Sequence, residues 1–67
     1  MKLLLVEDTV ILNKSIAKGL RKQGYAVDCA FDGEEALALY AVNSYDLIIL
    51  DLNLPKISGM EVLRQIR

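Results

Sequence analysis

Two continuous apolar runs, Leu3-Leu4-Leu5-Val6 and Leu47-Ile48-Ile49-Leu50, limit what this chain can fold into. Neither run alternates with polar residues. That is the pattern of a strand covered on both faces, as in parallel sheets. Each run also ends in acid: Glu7-Asp8 follows the first and Asp51 the second. A weaker strand signal runs from Tyr25 to Phe31. Asp28 interrupts it, which places it nearer a sheet edge than the first run.

Helical patterns separate these runs. Leu12, Ile16 and Leu20 recur at a spacing of four and predict an apolar stripe. Asn13, Lys14, Lys18, Arg21 and Lys22 lie off it, and Gly24 supplies a stop. Asp32-Gly33-Glu34-Glu35 opens a second helix with a capping residue and early carboxylates. Ala36, Leu37, Tyr40 and Ala41 are its expected buried face, and Asn43-Ser44 its end. Ser58 and Glu61 form the capping box of a third helix, with Ile57 and Val62 as its hydrophobic staple. The order β-α-β-α-β-α implies a parallel sheet with right-handed crossovers. The third strand is expected to be the most buried.

Composition removes whole classes of function. The chain has 67 residues, one cysteine and no histidine. It holds one domain at most. A disulfide scaffold, a Cys/His zinc site and a histidine-dependent catalytic dyad are all excluded. A net charge of −1 gives no footprint for nucleic acid. No apolar run approaches the length of a membrane span. No glycine-rich phosphate loop is present, which leaves a nucleotide-binding enzyme without support. Cys29 reads as a small packing residue, as do Tyr25, Tyr40 and Tyr45 with their hydroxyls wet.

Open parallel sheets bind ligands at the carboxyl ends of their strands. If the first and third strands are neighbours, Glu7, Asp8 and Asp51 converge there, with Asn53 two residues further on. An acid after one strand is commonplace, because βα loops are polar. Three at matching strand ends are not. Carboxylates that close repel one another unless a cation neutralises them. An all-oxygen set suits a hard cation, and Mg²⁺ fits best. A carboxylate beside Mg²⁺ can also act as a nucleophile toward phosphorus, and Asp51 is the best placed to do so.

Leu3 to Asp8, Gly24-Tyr25, Asp32 to Leu37, Asp46 to Pro55 and Ser58 to Val62 together resemble the receiver domain of two-component response regulators, nearest the OmpR/PhoB class. The resemblance runs through all 67 residues. It implies an α/β, flavodoxin-like (CheY-like) doubly wound sheet. This chain would supply the (βα)3 half, with strand order 2-1-3. It implies a cytoplasmic signalling module whose Asp51 accepts a phosphoryl group from a sensor histidine kinase. Mg²⁺ would be held by Asp8 and Asp51 through carboxylates, by Glu7 through water and by the backbone carbonyl of Asn53. Pro55 and Gly59 would shape the loop after Asp51, and the first helix would meet the kinase.

The family's fourth and fifth βα units, with their switch residues and phosphoryl-binding lysine, have no counterpart in residues 1–67, and neither has a DNA-binding domain. The phosphorylation chemistry is therefore expected to be impaired in this chain. The third strand is left as an apolar edge without lysine or proline. It is expected to pair with its own copy in a two-fold dimer of sheet order 2-1-3-3′-1′-2′. The alternative is a self-associating structural fragment with no phosphotransfer.

Overall fold

The computed structural model describes residues 1–51, 54 and 57–66. Its elements are β1 (Lys2–Val6), α1 (Val10–Lys22), β2 (Ala26–Ala30), α2 (Gly33–Val42), β3 (Leu47–Leu50) and α3 (Gly59–Ile66). The sheet order is β2-β1-β3 and both pairings are parallel. Leu4 stands opposite Asp28 and Ile48, and Leu5 opposite Cys29 and Ile49. The expected α/β order, the edge position of the Asp28 strand and the 2-1-3 arrangement are all observed.

Side-chain alternation along β1 divides the core into two layers. Leu4 and Val6 pack with Ala30, Ala36, Leu54 and Val62 on the side of α2 and α3. Leu3 and Leu5 pack with Ala17 and Val27 on the side of α1. Leu3 to Val6 are all fully buried, so β1 and not β3 is the most buried strand. In β3, Ile48 and Leu50 join the α2/α3 layer. Leu47 and Ile49 remain 49% and 37% exposed on the other face. Position explains the difference. β1 has a strand on each side, whereas β3 has one neighbour among the described residues.

The buried face of α1 also departs from expectation. It is formed by Asn13 and Ala17, with Leu20 half-buried beside them. Leu12 and Ile16 are 47% and 36% exposed, and Ile11 is 83% exposed. The helix is turned by about one residue from the apolar stripe, which places a small residue and an amide against the sheet. Arg21, which lies off the apolar stripe, donates from Nη2 to the Val27 carbonyl at 2.6 Å. Gly24, with φ of 95°, ends the helix. Its N–H donates to the Arg21 carbonyl and that of Tyr25 to the Leu20 carbonyl, the paired bonds of a Schellman cap.

α2 begins as read. Asp32 Oδ1 accepts the Glu35 N–H at 2.8 Å, while Glu35 Oε1 accepts the Phe31 N–H at 2.7 Å. Its buried face is Gly33 and Ala36, flanked by Leu37 and Leu39. Tyr40 and Ala41, expected inside, are exposed. In α3 the Glu61 N–H reaches Ser58 Oγ at 3.2 Å, and Ile57 and Val62 share one core layer.

The amino ends of the strands are tied by a polar cluster. The Lys2 N–H donates to Asp46 Oδ2 at 2.7 Å, and Lys2 Nζ lies 3.6 Å from Asp28 Oδ2. Tyr45 donates its hydroxyl to the same Asp28 oxygen at 2.7 Å, so this hydroxyl is not simply wet. Burial, reinforced by the hydrogen bond to and the charge of Asp28, pushes the Tyr45 phenol up to about 12.

Candidate functional site

The carboxyl ends of β1 and β3 come together because the parallel ladder continues one residue past the strands. The Glu7 N–H donates to the Ala30 carbonyl at 3.1 Å, and the Asp51 N–H to the Val6 carbonyl at 3.0 Å. The second bond sets Asp51 beside the β1 terminus. Glu7, Asp8 and Asp51 each then offer a carboxylate oxygen, and these oxygens lie within 4.8 Å of one another. Glu7 and Asp51 are half-buried and Asp8 is exposed. The sequence argument assembled the same three residues. Asn53 and Pro55 lie outside the described residues. Gly59 opens α3 and is buried.

Glu7 is held more firmly than its place in a loop would require. Its Oε2 accepts the N–H of Thr9 at 2.9 Å, although Thr9, the N-cap of α1, makes no side-chain cap itself. Its carbonyl accepts from Asn13 Nδ2 at 2.9 Å. The same Nδ2 donates to the Ala30 carbonyl at 3.0 Å. Asn13 is completely buried, and its Oδ1 has no hydrogen-bond partner among the described residues. A buried acceptor without a partner costs about 1–3 kcal/mol. By its spacing Asn13 lies off the apolar stripe of Leu12, Ile16 and Leu20. The available signal was the spacing of Asn13, Ala17 and Leu20, which also marks one helix face, but a face of small and polar residues.

The donor set fits a hard cation on its own chemistry. The cluster has oxygen ligands only and no thiolate or imidazole, and it presents three carboxylates at one point. Mg²⁺ is bound by a few carboxylates while keeping several waters, so a half-open cluster of this kind suits it. Asp51 stands at the mouth of a βα loop on an open parallel sheet, where phosphate-bearing ligands bind in such folds.

Comparison with known proteins agrees with this geometry. Residues 3–67 match the response regulator receiver domain family. The transcriptional regulatory protein DltR of Streptococcus agalactiae is 45% identical over 67 residues, all of this chain and 30% of DltR. CutR of Streptomyces coelicolor, also a transcriptional regulatory protein, is 44% identical over 66 residues, 98% of this chain and 30% of CutR. The response regulator protein TrrA of Thermotoga maritima, solved in complex with Mg²⁺-BeF, superposes with a TM-score of 0.93 at 41% identity. That match covers 98% of this chain and 57% of TrrA. TrrA has also been solved in complex with the histidine kinase ThkA. The chain thus spans just over half of these receiver structures and about a third of the curated regulators. With the 2-1-3 parallel sheet and acids at its strand ends, residues 3–67 belong to the response regulator receiver domain family of two-component signalling.

Proposed function

We propose that Asp51 is the phosphoacceptor of this receiver and that a sensor histidine kinase is the donor. The observation that carries the reading is the meeting of Glu7, Asp8 and Asp51 within 4.8 Å at the carboxyl edge of the sheet. One Asp51 carboxylate oxygen attacks phosphorus. The bond from phosphorus to the donor breaks, the donor keeps the electron pair, and an aspartyl phosphate forms. Asp8 and Asp51 would hold Mg²⁺ through their carboxylates and Glu7 through water, and the family resemblance adds the backbone carbonyl of Asn53, which lies outside the described residues. When bound, Mg²⁺ supplies neutralisation of the charge on the transferring group. Two structures of one relative support the assignment: TrrA solved with Mg²⁺-BeF, and TrrA solved with a histidine kinase.

Residues 1–67 contribute the first three βα units of a larger cytoplasmic receiver, a signalling module and not an enzyme with an outside substrate. No described helix is long and apolar enough to cross a membrane. DNA binding belongs to a separate domain, in keeping with relatives that are transcriptional regulators. The 67-residue chain on its own, with Leu47 and Ile49 exposed, forms a dimer by antiparallel pairing of β3 with its copy, and transfers phosphate poorly. Light scattering across a concentration series checks the dimer. A stable monomer with exchange-protected β3 amides overturns it.

Mg²⁺ titration tests the site itself. Asp8→Asn removes one direct ligand. Losing such a ligand should cost no less than the ~10–100-fold in affinity typical of outer-shell changes. Equal Mg²⁺ affinity in Asp8→Asn and the parent would contradict the assignment.

A further inference from the structure

We infer that Asn13 is a positioning residue for the acidic cluster: its buried amide clamps the Glu7 peptide and so fixes where Glu7 and Asp8 present their carboxylates. The inference rests on the Mg²⁺ reading of that cluster. The geometry is a closed loop of hydrogen bonds. The Glu7 N–H donates to the Ala30 carbonyl. Asn13 Nδ2 donates to that same carbonyl at 3.0 Å and to the Glu7 carbonyl at 2.9 Å. Both backbone groups of Glu7 are therefore tied, one directly to β2 and the other through Asn13. The Glu7 carbonyl belongs to the peptide that joins Glu7 to Asp8, so fixing its plane fixes the direction in which the chain enters Asp8.

The side chain has few substitutes. One nitrogen must supply two N–H donors to two different carbonyls, and the primary amide does so without bringing charge into the core. A hydroxyl has only one hydrogen. The orientation of the amide is also determined. The reverse assignment would set its oxygen against two carbonyl oxygens that have no hydrogen to give. Packing does not account for this residue. Asn13 is fully buried on the α1 face that also buries Ala17, it is a poor helix former, and its Oδ1 finds no partner among the described residues. An apolar residue would avoid each of these costs. What asparagine adds is the pair of bonds at the β1 and β2 termini.

Asn13→Leu is the informative variant. It keeps the branched four-atom outline of the side chain, removes both donors and improves helix propensity. Asn13→Ala serves as a second variant should leucine fit badly. The full chain is titrated with Mg²⁺ alone, and amide exchange at Glu7 is followed without metal. Leu39→Ala, in α2, is the control for general destabilisation. The expected result is Mg²⁺ affinity about tenfold weaker in both Asn13 variants. Glu7 amide exchange should quicken in both, and Leu39→Ala should bind Mg²⁺ as the parent does. Parental Mg²⁺ affinity in the Asn13 variants, with Asp8→Asn impaired, overturns the inference alone. Unchanged affinity in Asp8→Asn as well overturns the Mg²⁺ reading, and the positioning role with it.

Discussion

Gly33→Ala is expected to lower the melting temperature by about 10 °C. A Cβ at this position would lie 2.7 Å from the Ile57 carbonyl oxygen, 2.9 Å from Ile57 Cβ and 2.9 Å from Val62 Cγ2. One of those atoms is backbone, so relief requires moving the chain ahead of α3 and not only turning a side chain. Overpacking of this kind costs about 1–3 kcal/mol. In a domain this small each kcal/mol moves the midpoint by about 4–8 °C. The gain in helix propensity from alanine offsets little at the first position of α2. Thermal unfolding followed by circular dichroism reads the effect. Val62→Ala in the same background should restore only part of the loss, because it removes the methyl contact and leaves the carbonyl. A Gly33→Ala midpoint equal to the parent's would show that α2 and α3 are not packed as closely as described.

Gly33 also marks a limit of sequence reading. In sequence it is a plausible helix start and nothing more. Its actual role, the close approach of the segment before α3, depends on residues more than twenty positions away. The rotation of α1 has the same origin. Leu12, Ile16 and Leu20 form the stronger apolar pattern, yet Asn13 and Ala17 face the sheet. Periodicity identifies a stripe but not what will cover it. Leu47 and Ile49 in β3 show this again: they are as apolar as Ile48 and Leu50, yet only the latter pair joins a core layer.

Local signals, by contrast, were legible. The Asp32 and Ser58 caps and the Gly24 stop depend on neighbours within a few residues, and the structure has each of them; the third strand, read as Asp46 to Asp51, is shorter by one residue at each end. The acidic site was legible for a related reason. Parallel strands bring their carboxyl ends to one edge, so the residue after each apolar run is placed by topology alone. Glu7, Asp8 and Asp51 meet on that rule. The role of Asn13 is not legible in sequence, because its partners are main-chain carbonyls, which no side-chain motif announces.

The largest functional effect is expected from Asp51→Asn. A carboxamide oxygen is a far weaker nucleophile than a carboxylate, and the substitution leaves two carboxylates where three now meet. Both the attacking group and part of the cation's charge partner are lost in one change. Phosphoryl incorporation from acetyl phosphate should fall to background, while the bond from the Asp51 N–H to the Val6 carbonyl is kept by the substitution. Loss of labelling through unfolding would show as a lowered midpoint, so the two causes separate. Undiminished labelling in Asp51→Asn would assign the chemistry to another residue.

The central claim is that phosphate is taken up at the carboxyl edge of this sheet, on Asp51, with Mg²⁺ held by its acidic neighbours. Mass spectrometry of the chain after acetyl phosphate treatment, with and without Mg²⁺, tests it most directly. A phosphoryl group mapped to Asp51, at the low yield expected of this chain, and lost when Mg²⁺ is withdrawn, is the predicted result. A phosphoryl group on another residue, or equal incorporation without Mg²⁺, would contradict it.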